Sequence, residues 1–108
     1  MSTAIRSIAE HPVVAAWRAL SGSRGPVAAV EPLRQSERST VYRLWGAVAG
    51  GRAVVGKRRK WADLKAERVI YERVLPHFPL PTPRYYGWIE DESPGHSWIF
   101  VEDVGDQR

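Results

Sequence analysis

The segment Thr40-Val41-Tyr42-Arg43-Leu44-Trp45 constrains the fold most. It is dense in β-branched and aromatic residues and reads as a strand. Ala49-Gly50-Gly51 follows as a tight turn, and Arg52-Ala53-Val54-Val55-Gly56-Lys57 returns as the second strand of the same hairpin. Val27 to Leu33 is apolar and β-leaning, with Pro32 near its end. Arg34 to Ser39 between these strands is polar and loop-like. Arg84-Tyr85-Tyr86-Gly87-Trp88-Ile89 and Ser97-Trp98-Ile99-Phe100-Val101-Glu102 read as two further strands around an acidic turn, Glu90 to Gly95.

Two stretches carry a helical period. Met1 to Leu20 reads as helix with Pro12 as a point of interruption. Ser21-Gly22-Ser23 ends that run, and Arg24-Gly25-Pro26 is a turn. The second helix starts after Asp63, a plausible cap, and stops at Pro76. At 100° per residue Leu64, Tyr71, Val74, Leu75 and Phe78 share one stripe. Glu67 falls inside that stripe and Glu72 outside it. Pro79-Leu80-Pro81-Thr82-Pro83 is a stiff extended link. The expected fold is α+β: a five-stranded antiparallel sheet with one packed helix over residues 27–108, and an N-terminal helical extension over residues 1–26.

The composition excludes several classes. A chain of 108 residues is one domain's worth. It has no Cys, so no disulfide scaffold, thiolate metal site or Cys nucleophile is available. No apolar run is long enough to span a membrane, and charged residues break the start as a signal core, so the expected compartment is the cytoplasm. Sixteen basic and twelve acidic residues leave +4. The charge is uneven: residues 1–89 carry fifteen basic and six acidic residues, and residues 90–108 one and six. A basic body with an acidic end fits either an anion site or two solvated faces.

Four places could carry chemistry. Lys57 ends an apolar strand on the same face as Ala53 and Val55, which suits a nucleotide site; otherwise it merely opens the solvated run Lys57-Arg58-Arg59-Lys60. Glu67, on an apolar stripe, needs a cation partner, and Lys57 is within reach; otherwise it sits at an edge in water. The loop holding Ser36, Ser39 and Thr40 either lines phosphates or is a plain hairpin loop. The exit from Phe100 to Gly105 exposes backbone groups that an adenine ring could use.

In this order the segments resemble the N-terminal lobe of the aminoglycoside phosphotransferase family, which includes choline-kinase-like and fructosamine-kinase-like enzymes. The matching pieces are Ser39-Thr40-Val41-Tyr42-Arg43-Leu44, Ala53-Val54-Val55-Gly56-Lys57, Ala66-Glu67-Arg68-Val69-Ile70-Tyr71, the Pro-rich link, and Trp98 to Gly105. The resemblance implies that Lys57 holds the α- and β-phosphates of ATP and that Glu67 fixes this lysine. It implies apolar adenine contacts from Val41 and Val55, with Phe100 at the back of that pocket. The backbones of Val101 and Asp103 would be the hinge that bonds adenine, and Ser36 to Ser39 the phosphate-covering loop. Phosphoryl transfer from ATP to a hydroxyl or amine of a small molecule is the implied activity.

Two departures follow. The loop has no glycine. The family's His-Gly-Asp catalytic motif, its following Asn and its metal-binding Asp are not among the 108 residues. The chain is thus expected to be the ATP-binding lobe alone, inactive by itself and weak for ATP, with Mg²⁺ ligands and the acceptor site in a second lobe. Val41, Val55 and Phe100 would then be bare, favouring self-association or a partner protein. The alternatives are a non-catalytic kinase-like interaction module and a small basic nucleic-acid-binding domain built on Lys57 to Trp61 with Tyr85, Tyr86 and Trp88.

Overall fold

Strand β2 (Ser39–Trp45) continues the sheet from β1 (Ala29–Gln35), and β3 (Val54–Lys60) pairs on its other side. The computed structural model describes residues 11–22, 27–48, 53–79 and 82–103. Helix α1 (Pro12–Ser21) precedes β1, and α2 (Trp61–Val69) follows β3 without a loop. One π-helical turn (Ile70–Val74) and one 3₁₀ turn (Leu75–His77) extend α2. Strands β4 (Tyr85–Glu90) and β5 (His96–Glu102) close the order. All five strands form one antiparallel sheet, β1-β2-β3-β5-β4. The fold is α+β, as expected. Residues 1–10, the turns at 24–26 and 49–51, residues 80–81 of the Pro-rich link and the exit beyond 103 lie outside the described residues. No helix among the described residues is long and apolar enough to cross a membrane.

The sheet has a helix on each face, not on one. Strand alternation turns Leu44, Val54, Trp98 and Phe100 to one side. There they form a core with Val13, Val14 and Trp17 of α1. Each large apolar side chain so buried contributes about 1.5–3 kcal/mol. Residues 12–21 therefore belong to the fold's core and do not hang from it. Pro12 starts α1, where its missing N–H costs nothing at the first helical position; the expected helical run before it lies outside the described residues. The His11 ring accepts the Val13 amide at 3.2 Å, and Gly22, at φ 73°, closes the other end.

The basic run 58–60 continues strand β3, beyond the expected end at Lys57. Arg58, Arg59 and Lys60 pair with Trp98, Ser97 and His96 of β5, and the first two also pair with β2. A strand held on both sides keeps its geometry whatever its charge. The helix begins at Trp61, one turn before the expected start, and Asp63 lies in its first turn. The expected apolar stripe holds only in part. Leu64 is fully buried, whereas Val74 and Phe78 are 43% and 52% exposed. The π turn, bonded i→i+5, adds a residue and shifts the helical register, so Val74 and Phe78 are exposed while Leu75 stays partly buried.

A bulge in β4 shapes the face under α2. The register shifts between Tyr85 and Gly87. Tyr85 stacks on Tyr71 and Trp88 lies on Trp61, so residues three apart in β4 both face α2. Tyr86, between them, points to Trp17 on the opposite side.

Candidate functional site

Lys57 occupies the middle of the α2 face. Its register partners are Val41 on β2 and Ile99 on β5. The ammonium donates to both carboxylate oxygens of Glu67, at 3.2 and 3.1 Å. Helix α2 places Glu67 there because it lies three residues after buried Leu64 and four before Tyr71, on the sheet-facing side. The pair is partly open to water, with side chains 31% and 21% exposed.

Glu72 does something else. It accepts from Arg68 at 3.1 and 3.3 Å and from the Tyr85 hydroxyl at 2.6 Å. Those bonds hold its carboxyl below the usual carboxylate range. The Arg68 guanidinium lies over Trp88 and Trp61, 4.2 and 5.1 Å from their ring centres. This cluster ties α2 to β4, and so fixes the helix that carries Glu67.

An apolar floor adjoins the lysine. Val41, Val55 and Val101 form a buried cluster, with Leu33, Tyr71 and Tyr85 packed on it. Tyr71 and Tyr85 stack at 5.5 Å, with rings 8° from parallel. Burial, then the nearby Glu67, pushes the Tyr71 phenol up; burial, then Glu72, does the same to Tyr85. Both hydroxyls are neutral at ordinary pH.

The loop expected over residues 34–39 shrinks to a tight turn, because β1 runs to Gln35 and β2 starts at Ser39. The Ser36 hydroxyl donates to the Ser39 carbonyl and accepts its amide, both at 3.1 Å, and the Ser36 amide donates to the same carbonyl at 2.9 Å. Ser39 is buried opposite Arg59. At the other end of this face Arg43 lies 2.7 Å from Asp103 and 3.0 Å from Glu31, which also accepts the Trp45 indole N–H.

The expected site therefore assembles in part. Lys57, Glu67, Val41, Val55, Val101 and Ser39 share the α2 face. Phe100 does not: it pairs with Gly56, points to α1, and is fully buried against Trp17. Alternation turns the Phe100 side chain away from the face that holds Val41 and Val55. The expected hinge amide of Asp103 donates to the Ala53 carbonyl at 2.8 Å, which extends the β3–β5 ladder. Val101 is likewise inside the sheet, between Val55 and Tyr85. The trio expected to be bare is covered: Val41 is 9% exposed, Val55 4% and Phe100 0%. Apolar exposure appears instead at Val69, Ile70, Val74 and Phe78.

Arg43, Arg59 and Tyr85 also belong to this face and were not among the expected nucleotide-site residues, whereas Tyr71 was expected on the stripe that carries Glu67. Counting back two residues from Lys57 to Val55 also counts forward two to Arg59, so that signal was present. Among the described residues, no group of three or more His, Asp or Glu side chains is placed to hold a metal ion. In comparison with known proteins, the chain matches no family model and no curated protein.

Proposed function

We propose that the α2 face is the nucleotide-holding side of a kinase-like lobe, one half of a small-molecule phosphotransferase that uses ATP. The observation that carries this reading is the Lys57–Glu67 pair, with both carboxylate oxygens on one ammonium. An ammonium has three N–H donors, and two are engaged here. The third is left for a phosphate oxygen, and Glu67 fixes the direction in which it is offered. Beside it lies the apolar cluster of Val41 and Val55, and the partly exposed side chains packed on it, Leu33, Tyr71 and Tyr85, are the ones that would meet the flat face of a base. ATP supplies the transferable phosphoryl group. Among the described residues no carboxylate set is placed for Mg²⁺, and the sequence holds no His-Gly-Asp motif, so the reading covers the nucleotide side alone.

Residue-resolved NMR titration with ATP and Mg²⁺ tests the reading. The expected dissociation constant is weak, on the order of 1 mM, equivalent to about −4 kcal/mol, because few charge-assisted contacts are available. Shifts should cluster at Val41, Val55 and Lys57 and disappear in Lys57→Met. Shifts confined to the α1 face, or binding that ignores Lys57→Met, would refute it. The alternative of a non-catalytic interaction module draws on the exposed side chains of Val69, Ile70, Val74 and Phe78. It requires no ATP shifts on the α2 face.

A further inference from the structure

Resting on the reading above, we propose that Arg59 is a second phosphate-binding cation beside Lys57, and that the pair makes a polyphosphate site selecting ligands by phosphate number and not by base. Arg59 follows Lys57 by two residues on β3, so both side chains leave the same face about 7 Å apart. Both are long enough to converge on one polyphosphate chain. The guanidinium is half-buried, and its Nε is shielded from water with no hydrogen-bond partner. A guanidinium nitrogen enclosed without an acceptor is unfavourable, and turning the side chain outward to meet an anion removes that penalty.

Four other cations on the described strands and α2 are already engaged. Lys57 pairs with Glu67, Arg43 with Glu31 and Asp103, Arg58 with Asp91, and Arg68 with Glu72. The register neighbours of Arg59 are Ser39 and Ser97, which offer hydroxyls and no negative charge. Ser39 closes the β1–β2 turn, so Arg59 lies beneath the turn expected to cover phosphates. Guanidinium binds phosphate through two parallel N–H bonds, an arrangement an ammonium does not match.

The base end has the opposite character. The Asp103 amide is spent on Ala53, and Val101 is paired with strands on both sides. These two residues leave no main-chain donor for a base edge. Recognition then falls on charge at one end and on apolar contact, shared by all bases, at the other.

The test titrates the full chain with inorganic triphosphate, ATP, GTP and AMP, by NMR. Triphosphate, ATP and GTP should bind within about threefold of one another, with AMP at least tenfold weaker. Arg59→Gln should weaken all three triphosphates about tenfold or more, with Arg59→Lys intermediate, while Lys65→Gln on exposed α2 surface changes them less than about twofold. Because the Arg59 guanidinium has no hydrogen-bond or ion-pair partner among the described residues, Arg59→Gln should melt no lower than the parent. A lower melting temperature would assign Arg59 to the scaffold and overturn the proposal. If Lys57→Met abolishes ATP binding and Arg59→Gln leaves it intact, the proposal falls and the nucleotide reading stands. ATP binding more than tenfold tighter than inorganic triphosphate also overturns it, since the base is then read. Arg59-dependent triphosphate binding without ATP binding leaves an anion site but overturns the selection by phosphate number and sinks the nucleotide reading. No binding by any of the four sinks both.

Discussion

Gly56→Ala should unseat α1 although it adds only one methyl group. Gly56 lies in β3, next to Lys57, and faces α1. A Cβ there would sit 2.6 Å from Phe100 Cε1, 2.9 Å from Val13 Cγ2 and 3.0 Å from Phe100 Cδ1. The ring is about 0.8 Å too close for an ordinary 3.4 Å contact. It cannot swing away, because Trp17 and Trp98 flank it at 5.4 and 6.0 Å. Val13 is itself fully buried. Overpacking of this kind costs about 1–3 kcal/mol. A Gly to Ala change alone returns about 0.4–1 kcal/mol through the unfolded chain. With a ring and a helix to displace together, the net loss should be about 2 kcal/mol. For a domain near this size that lowers the midpoint of thermal unfolding by about 8–16 °C. Circular dichroism melts, with urea midpoints at unchanged slope, measure it. Adding Phe100→Leu should relieve the clash, so the double variant should be less destabilised than the sum of the two single changes, by about 1 kcal/mol or more. A Gly56→Ala protein as stable as the parent, or an additive double variant, would refute the packing of α1 on this face.

Arg68→Ala removes the cation over Trp61 and Trp88 and one partner of Glu72. It should cost about 1–2 kcal/mol, alter the tryptophan emission and loosen α2, read as broadened Glu67 signals. His11 is held by burial below its ordinary value of 6.5. A depressed folded value means that the unfolded chain binds the proton more readily. The stability is therefore present above pH 6.5 and is lost as pH falls through the folded value, when the Nδ1 that accepts the Val13 amide is protonated. His11→Asn should keep the cap and flatten this dependence in melts across that range. Phe100→Ser should destabilise by about 3–5 kcal/mol or more, because it empties a fully buried ring site. Phe78→Ser, at 52% exposure, should stay within about 0.5 kcal/mol. Equal effects in the two Phe variants would reverse the assignment of inside and outside.

The Lys57–Glu67 contact joins a strand to a helix that starts at the next residue but three. Because no loop intervenes between Lys60 and Trp61, the helix axis is set by the strand, and its first two turns must lie across β3 and β5. The amide of Trp61 donates to the Gly95 carbonyl at 2.7 Å and secures that junction to the β4–β5 turn. The geometry of the pair thus depends on the sheet's edge turn as well as on its own residues.

Much of this was legible in the sequence because it depends on local period. Alternation alone put Val55 and Lys57 on one face, and the 100° wheel alone chose Glu67 over Glu72 as the partner of Lys57. The order of helices and strands followed from runs of β-branched residues broken by Gly and Pro. Other features depended on distant pairings that no local period encodes. Phe100 faces α1 because it sits opposite Gly56, and that register is a contact between β3 and β5. The run Arg58-Arg59-Lys60 is strand because partners on two sides satisfy its backbone, which outweighs a composition that favours solvent. The π turn rotated Val74 and Phe78 away from a stripe that an unbroken helix would have kept. The Asp103 amide was taken by Ala53 and lost as a hinge donor. Side-chain period fixes which residues share a face of one element; only the pairing of elements across the sheet decides what that face meets.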